Sequence, residues 1–272
     1  MKKVVLFFAL VSLFALASCN DSKDAEDKTQ FQQEFYNRVI NNSDNQVLFS
    51  KSIAAFTINF SAMQLDVTHG AKLAAGLEYT MQATGLKLTY DQTTGSYTIS
   101  MGNAVVRAGN NVVTAITGRV DIATGVIFLS YLVNNTYAVY ATTPLGYAYG
   151  TLSTTYTVDG ADHTFDNEDF AILVAINDEG TTARVTMYNV QLKSDMASTD
   201  MIVYDGVAVK PTLNGYELST EASLKPVGAS NSDYDMTGFE AHVDQQGRVI
   251  AGKFAIGDVK ATFTAGMFSD KK

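Results

Sequence analysis

From Phe56 onward the chain alternates apolar and polar residues with a period of two, and this rhythm limits what it can fold into. Phe56, Ile58 and Phe60 alternate with Thr57, Asn59 and Ser61, and Leu86, Leu88 and Tyr90 with Lys87 and Thr89. Tyr97, Ile99 and Met101 alternate with Thr98 and Ser100, and Ile116, Val120 and Ile122 oppose Thr117, Arg119 and Asp121. A period of two belongs to strands with one buried face. Short turn-forming stretches separate the runs, such as Asp91-Gln92-Thr93-Thr94-Gly95, Gly109-Asn110-Asn111 and Ala123-Thr124-Gly125. Strands joined by such turns form antiparallel hairpins. The expected fold class is therefore all-β, built of antiparallel meanders that close into small barrels or pack as sandwiches. Val126 to Val133 is apolar almost throughout and reads as a strand covered on both faces. Phe31 to Ile40 is ambiguous: Phe31, Phe35 and Val39 have helical spacing, but we read residues 35–40 as strand.

The second half repeats the first. Gly85-Leu-Lys-Leu with Gly95 and Tyr97 after it is echoed by Gly206-Val-Ala-Val with Gly215 and Tyr216. Thr117-Gly118 followed by Gly125 matches Thr237-Gly238 followed by Gly247, and Phe56 to Leu65 resembles Ala183 to Leu192. Phe31 to Ile40 finds its counterpart in Thr154 to Val158, with Ser43 to Gln46 answered by Asp166 to Asp169. The offset stays near about 120 residues, as a duplicated unit requires. Pro144, Gly146 and Gly150 cluster where the copies should divide, giving a first β copy over residues 31–145 and a second over 146–272. The copies form either two domains or one merged sheet system.

Composition agrees with this reading. Tyrosine numbers 14 and glycine 20, while proline numbers 3 and tryptophan is absent. Aromatic and β-branched residues suit a pleated, half-buried surface. The N-terminus has a different character. Lys2 and Lys3 precede an apolar run from Val4 to Ala17, too short for a comfortable permanent span and laid out as a secretory signal. The run ends in Leu16-Ala17-Ser18-Cys19, and Cys19 is the only cysteine of the chain. A single cysteine cannot form an internal disulfide, and a free thiol in an exported protein needs an explanation. Residues 19–30 hold no large apolar residue and read as an acidic flexible tether.

Leu16 to Cys19 resembles the lipobox of bacterial lipoproteins. That resemblance implies removal of residues 1–18 as a signal peptide and lipidation of Cys19 as the first mature residue. The acidic stretch behind it resembles the surface-export signal of Bacteroidetes lipoproteins, and the tandem hairpins resemble their calycin-like members of unknown function. The likeness implies an address, an outer-membrane lipid anchor facing outward, and no functional residue beyond Cys19. Without Lys2 and Lys3 the 19 basic residues fall to 17 against 28 acidic ones, a net charge of −11. Such a body repels phosphate backbones, so nucleic acid is not an expected partner. It also does not favour anionic lipid heads, which leaves membrane attachment to the anchor.

Catalytic patterns are missing. His69, His163 and His242 lie far apart, with no His-x-His or His-Glu-x-x-His and no second cysteine, so no metal site is expected. The sequence has no Gly-x-Ser-x-Gly elbow and no glycine-rich phosphate loop, and no cofactor is implied. Carboxylates that meet only through space remain open in principle. However, Asp66, Asp121, Asp205, Glu217 and Glu240 fall where outward strand positions or turns put them. The acidic stretch Asp159 to Asp169 reads as a solvated loop without the spacing of a calcium-binding helix-loop-helix. The tyrosines Tyr131, Tyr137, Tyr140, Tyr147, Tyr149 and Tyr156 are the candidate ligand or interface group. Rings with a polar tip suit sugar faces and protein interfaces, and equally sheet packing and a seam between the copies. The expected function is a non-enzymatic, lipid-anchored surface binding or adhesion module for a glycan or a protein. The alternative is a calycin-like carrier of an apolar small molecule, with Phe56, Phe60, Leu88 and Met101 lining its cavity.

Overall fold

The computed structural model describes residues 28–121, 126–143, 148–228 and 233–266. Cys19, residues 1–18, which were expected to be a signal peptide, and Tyr147 lie outside them. The chain forms two antiparallel β-barrels in succession. In the first, β1 (Lys28–Asn41), β2 (Gln46–Asn59), β3 (Gln64–Ala74), β4 (Leu77–Asp91) and β5 (Ser96–Ser100) follow one another. Then come a short β6 (Val105–Arg107), β7 (Val113–Asp121), β8 (Ile127–Val133) and β9 (Tyr137–Thr142). Neighbours in sequence pair around the ring, β5 pairs with β7, and β9 returns to β1 with Tyr36 opposite Thr142 and Asn41 opposite Tyr137. β6 continues the line of β5 along β4, where Val106 lies opposite Ala83.

The second barrel is a pure meander. It comprises β10 (Ala148–Val158), β11 (Ala161–Ile176), β12 (Thr182–Val190), β13 (Thr199–Thr212), β14 (Gly215–Ser219), β15 (Met236–Val243), β16 (Val249–Ile256) and β17 (Val259–Gly266). β17 closes on β10 with Thr155 opposite Lys260. Both barrels therefore have eight ring positions in the same order, and closure removes the open edges of a sheet.

The period-two reading locates the strands well, and β1 is strand throughout, including the stretch with helical spacing. Its first residues, Lys28 to Gln30, belong to the barrel and not to the expected tether. In β8, Ile127, Leu129, Tyr131 and Val133 are buried, whereas Phe128, Ser130 and Leu132 are only half-covered. The strand is thus an ordinary barrel stave and not a doubly covered centre.

Three repeat alignments need correcting. Phe56 lies on β2 and Ala183 on β12, the second and third strands of their barrels, so those two segments are not equivalent. Asp166 to Asp169 lies within β11, whereas Ser43 to Asn45 forms a turn; the equivalent turn is Asp159-Gly160, with φ of 50° and 80°. The acidic stretch is accordingly a hairpin and not a loop. Gly118 and Gly238 serve different ends: Gly238 has φ 58° in a bulge of β15, whereas a side chain on Gly118 would collide with the Phe128 carbonyl. Gly85 and Gly206 do correspond. They have φ of 79° and 83° and sit where β4 and β13 bulge against their preceding strands.

Candidate functional site

Inward side chains fill each barrel. In the first, Phe35, Phe56, Leu65, Leu73, Met81, Leu86, Leu88 and Leu129 are buried in one apolar cluster. Set among them is a polar crossbar. His69 on β3 has 0% exposure, and its Nδ1 accepts a hydrogen bond from the Tyr131 hydroxyl on β8 at 2.7 Å. Its Nε2 donates to Asn37 Oδ1 on β1 at 2.9 Å, and Asn37 Nδ2 donates to Ser52 Oγ on β2 at 2.9 Å. The Tyr79 hydroxyl on β4 donates to that of Tyr131. Donors and acceptors fit if the imidazole is neutral with its proton on Nε2. Burial favours the same state, pushing His69 down to about 4 and both tyrosines up. β3 and β8 stand on opposite sides of the eight-membered ring, so this chain of bonds spans the bore.

The second bore is crossed by rings. Phe170 on β11 lies 5.5 Å from Phe263 on β17, which lies 6.5 Å from Phe239 on β15. β11 and β15 are again opposite staves.

One mouth of the second barrel is closed by the outer wall of the first. The turns after β11, β13 and β15 surround this mouth. Tyr36 of β1 joins the second barrel's apolar core, and Phe49 of β2 packs against it. Phe49 lies 5.8 Å from Tyr36 and 6.2 Å from Tyr216, and so close to Gly180 that a Cβ there would strike its ring. Arg38, 1% exposed, donates through Nη1 to the Thr212 and Leu213 carbonyls at 2.8 and 2.7 Å. Its guanidinium covers the Tyr140 ring at 4.5 Å, and burial pulls it below its ordinary pKa. At the margin Lys51 bridges to Asp178 at 2.8 Å.

The corresponding mouth of the first barrel carries no such cover among the described residues. Phe60, in the turn after β2, is 38% exposed, and Tyr90 at the end of β4 is 46% exposed. Tyr97 on β5 joins them, with its ring 6.3 Å from Phe60 and 5.1 Å from Tyr90. All three continue the inward-facing register of their strands past the end of the bore. β1 starts at this mouth with Lys28.

The tyrosines expected to form one site are dispersed. Tyr131 is inside the first barrel, Tyr140 is in the seam, and Tyr137 is half-buried beside the turn between β8 and β9. Tyr156 is buried in the second barrel, stacked on His163 at 5.7 Å, with Lys193 Nζ 5.1 Å from its ring. Tyr149 lies on β10 opposite Ala171, and Tyr147 is outside the described residues. Of the residues assigned to a carrier cavity, Phe56 and Leu88 are core, Met101 is half-buried against it, and Phe60 is out at the mouth. The carboxylates are engaged locally: Asp66 accepts from the Gly85 amide, and Asp121, Asp205, Glu217 and Glu240 pair with Arg119, Arg184, His242 and Lys253. No group of three or more His, Cys, Asp or Glu placed to hold a metal occurs among the described residues. Sequence reasoning missed Tyr90, Phe60 and Tyr97 as a group because their clustering depends on strand ends meeting at one mouth.

Comparison with known proteins adds no relative. No family model, curated protein or solved structure matches the chain.

Proposed function

We propose that this protein is a non-enzymatic binding or adhesion module, lipid-anchored through Cys19 at the outer membrane and facing outward, with the mouth of the first barrel that Phe60, Tyr90 and Tyr97 surround as its binding face. The observation that carries this reading is the equivalence of Tyr97 and Tyr216. Each follows the first residue of the fifth strand of its barrel, at the same mouth. Around Tyr216 that mouth grips a sheet wall through Tyr36 and Phe49. Around Tyr97 it presents three linked aromatic rings, two of them exposed. Phe60 supplies an apolar face and the two tyrosines add hydroxyl tips, which suits a sugar face or the flank of another protein. The crossbar and the phenylalanine bridge obstruct the bores, which weighs against a carrier of a long apolar ligand.

The test is binding by the purified mature body to a glycan array, to surface proteins and to lipid extract, beside a Phe60→Ala/Tyr90→Ala double variant. Retention of a glycan or protein that the double variant loses supports the proposal. Selective retention of an extracted lipid, or a partner held equally by both proteins, overturns it.

A further inference from the structure

The seam between the barrels buries a full positive charge and hydrogen-bonds it to uncharged groups. Arg38 spends both hydrogens of Nη1 on the Thr212 and Leu213 carbonyls. Its Nη2 is buried and has no hydrogen-bond partner. Across the seam the Tyr216 hydroxyl is likewise buried and unpartnered. Tyr216 follows Gly215, the partner of Thr212 across the β13–β14 turn that Arg38 binds, and its ring lies 6.2 Å from that of Phe49. Asp244 is the carboxylate whose field reaches Arg38, but it is already occupied. Its Oδ1 accepts from the amides of Gln246 and Arg248, and its Oδ2 accepts from the Arg248 guanidinium.

A buried ion without a counter-charge is expensive, and so is a buried donor without an acceptor. Nη2 can only donate, and the Tyr216 hydroxyl can donate as well as accept, so one acceptor within reach of both would satisfy them together. A water molecule supplies lone pairs but leaves the charge of Arg38 uncompensated. A small anion answers both needs. The surrounding rings of Tyr36, Phe49 and Tyr140 favour a weakly hydrated monoanion over phosphate or sulfate. We propose that the seam is a site for a small monovalent anion of the halide class, held by Arg38 Nη2 and the Tyr216 hydroxyl, and that its occupancy locks the second barrel onto the first. This site is separate from the aromatic mouth and does not depend on the function proposed for it.

The experiment is thermal unfolding of the mature chain in sodium chloride, sodium bromide and sodium gluconate at matched ionic strength, gluconate being a bulky, strongly hydrated organic anion. A halide at ten times its dissociation constant raises Tm by roughly 3–5 °C over gluconate, and the effect saturates. Tyr216→Phe removes a hydroxyl that bonds nothing else, so it folds and shows a weaker halide response. Arg38→Met abolishes the response. Chloride NMR line broadening by the wild type, displaced by bromide and reduced in Tyr216→Phe, reads the same site without unfolding. Equal Tm in chloride and gluconate, or an unchanged halide response in Tyr216→Phe, overturns the proposal.

Discussion

His69 and Tyr131 are joined across the whole width of the first barrel, Nδ1 to hydroxyl at 2.7 Å, from staves on opposite sides of the ring. A polar tie at that position fixes more than an apolar contact does. It sets the rotation of both rings, and Asn37, Ser52 and Tyr79 complete the same hydrogen-bonded chain. Tyr131→Phe removes the donor to His69 and the acceptor for Tyr79 at once. The expected loss is about 1–3 kcal/mol of unfolding free energy in urea, far above that for an exposed tyrosine such as Tyr90.

The same tie makes the barrel sensitive to acid. Burial lowers His69 from 6.5 to about 4 in the folded chain. Between these values the unfolded chain takes up a proton that the folded chain refuses, so stability falls as the pH drops from 6.5 to 4. This contribution is fully present above 6.5 and does not change further below 4. Over that window the loss amounts to about 3 kcal/mol. His69→Gln removes this component, so its stability should vary less over the same range. Parallel pH profiles for the two proteins would show that His69 is not the group responsible.

Gly118 and Gly85 should fail in different ways. A methyl group on Gly118 collides with the Phe128 carbonyl and crowds Leu129 and Ile99 at 3.0 and 3.1 Å, so Gly118→Ala forces β7 and β8 apart. It should lose about 3 kcal/mol, the upper end for overpacking. Gly85 has open space around it but a φ of 79°, so Gly85→Ala incurs only the left-handed strain, about 1–2 kcal/mol. Denaturant midpoints in the reverse order would contradict this assignment.

Those two glycines also show how far the sequence could be read. Both looked alike as repeat markers, and alternation placed the strands around them. What it could not show is which glycine bends the chain and which makes room for a neighbour, because that depends on the residue across the ladder. Alternation names the buried face of β3, and so places His69 inward in principle, yet nothing near His69 in the chain announces Tyr131, 62 residues away. The seam was hidden for a related reason. Tyr36, Arg38 and Phe49 occupy the outer face of β1 and β2, which a single barrel leaves to solvent. Only the docking of a second barrel turns that face into core.

At the seam, apolar burial should outweigh charge. Tyr36→Ala empties a ring from the second barrel's core and should lose about 3–5 kcal/mol. Lys51→Ala breaks the bridge to Asp178, whose side chain is 86% exposed, and should lose less than about 1 kcal/mol. Urea unfolding of both variants measures the difference. Near-equal losses would mean that the barrels are held by their rim charges and not by the stopper of rings.

The proposed anchor has a consequence for where the body can sit. If Cys19 carries acyl chains, nine residues from Cys19 to Asp27 separate the lipid from the start of β1, a reach of at most about 30 Å when extended. The body then stays close to the membrane although its charge of −11 gives it no affinity for anionic heads. Attachment should therefore depend wholly on the cysteine, since stable anchoring takes more than one chain or a basic patch, and this tether has no basic patch. Cys19→Ala should appear as soluble protein in the periplasm or medium, while Phe60→Ala/Tyr90→Ala should pellet with membranes as the parent does. A Cys19→Ala protein that fractionates with membranes to the same extent as the parent would show that something other than the lipid holds it there.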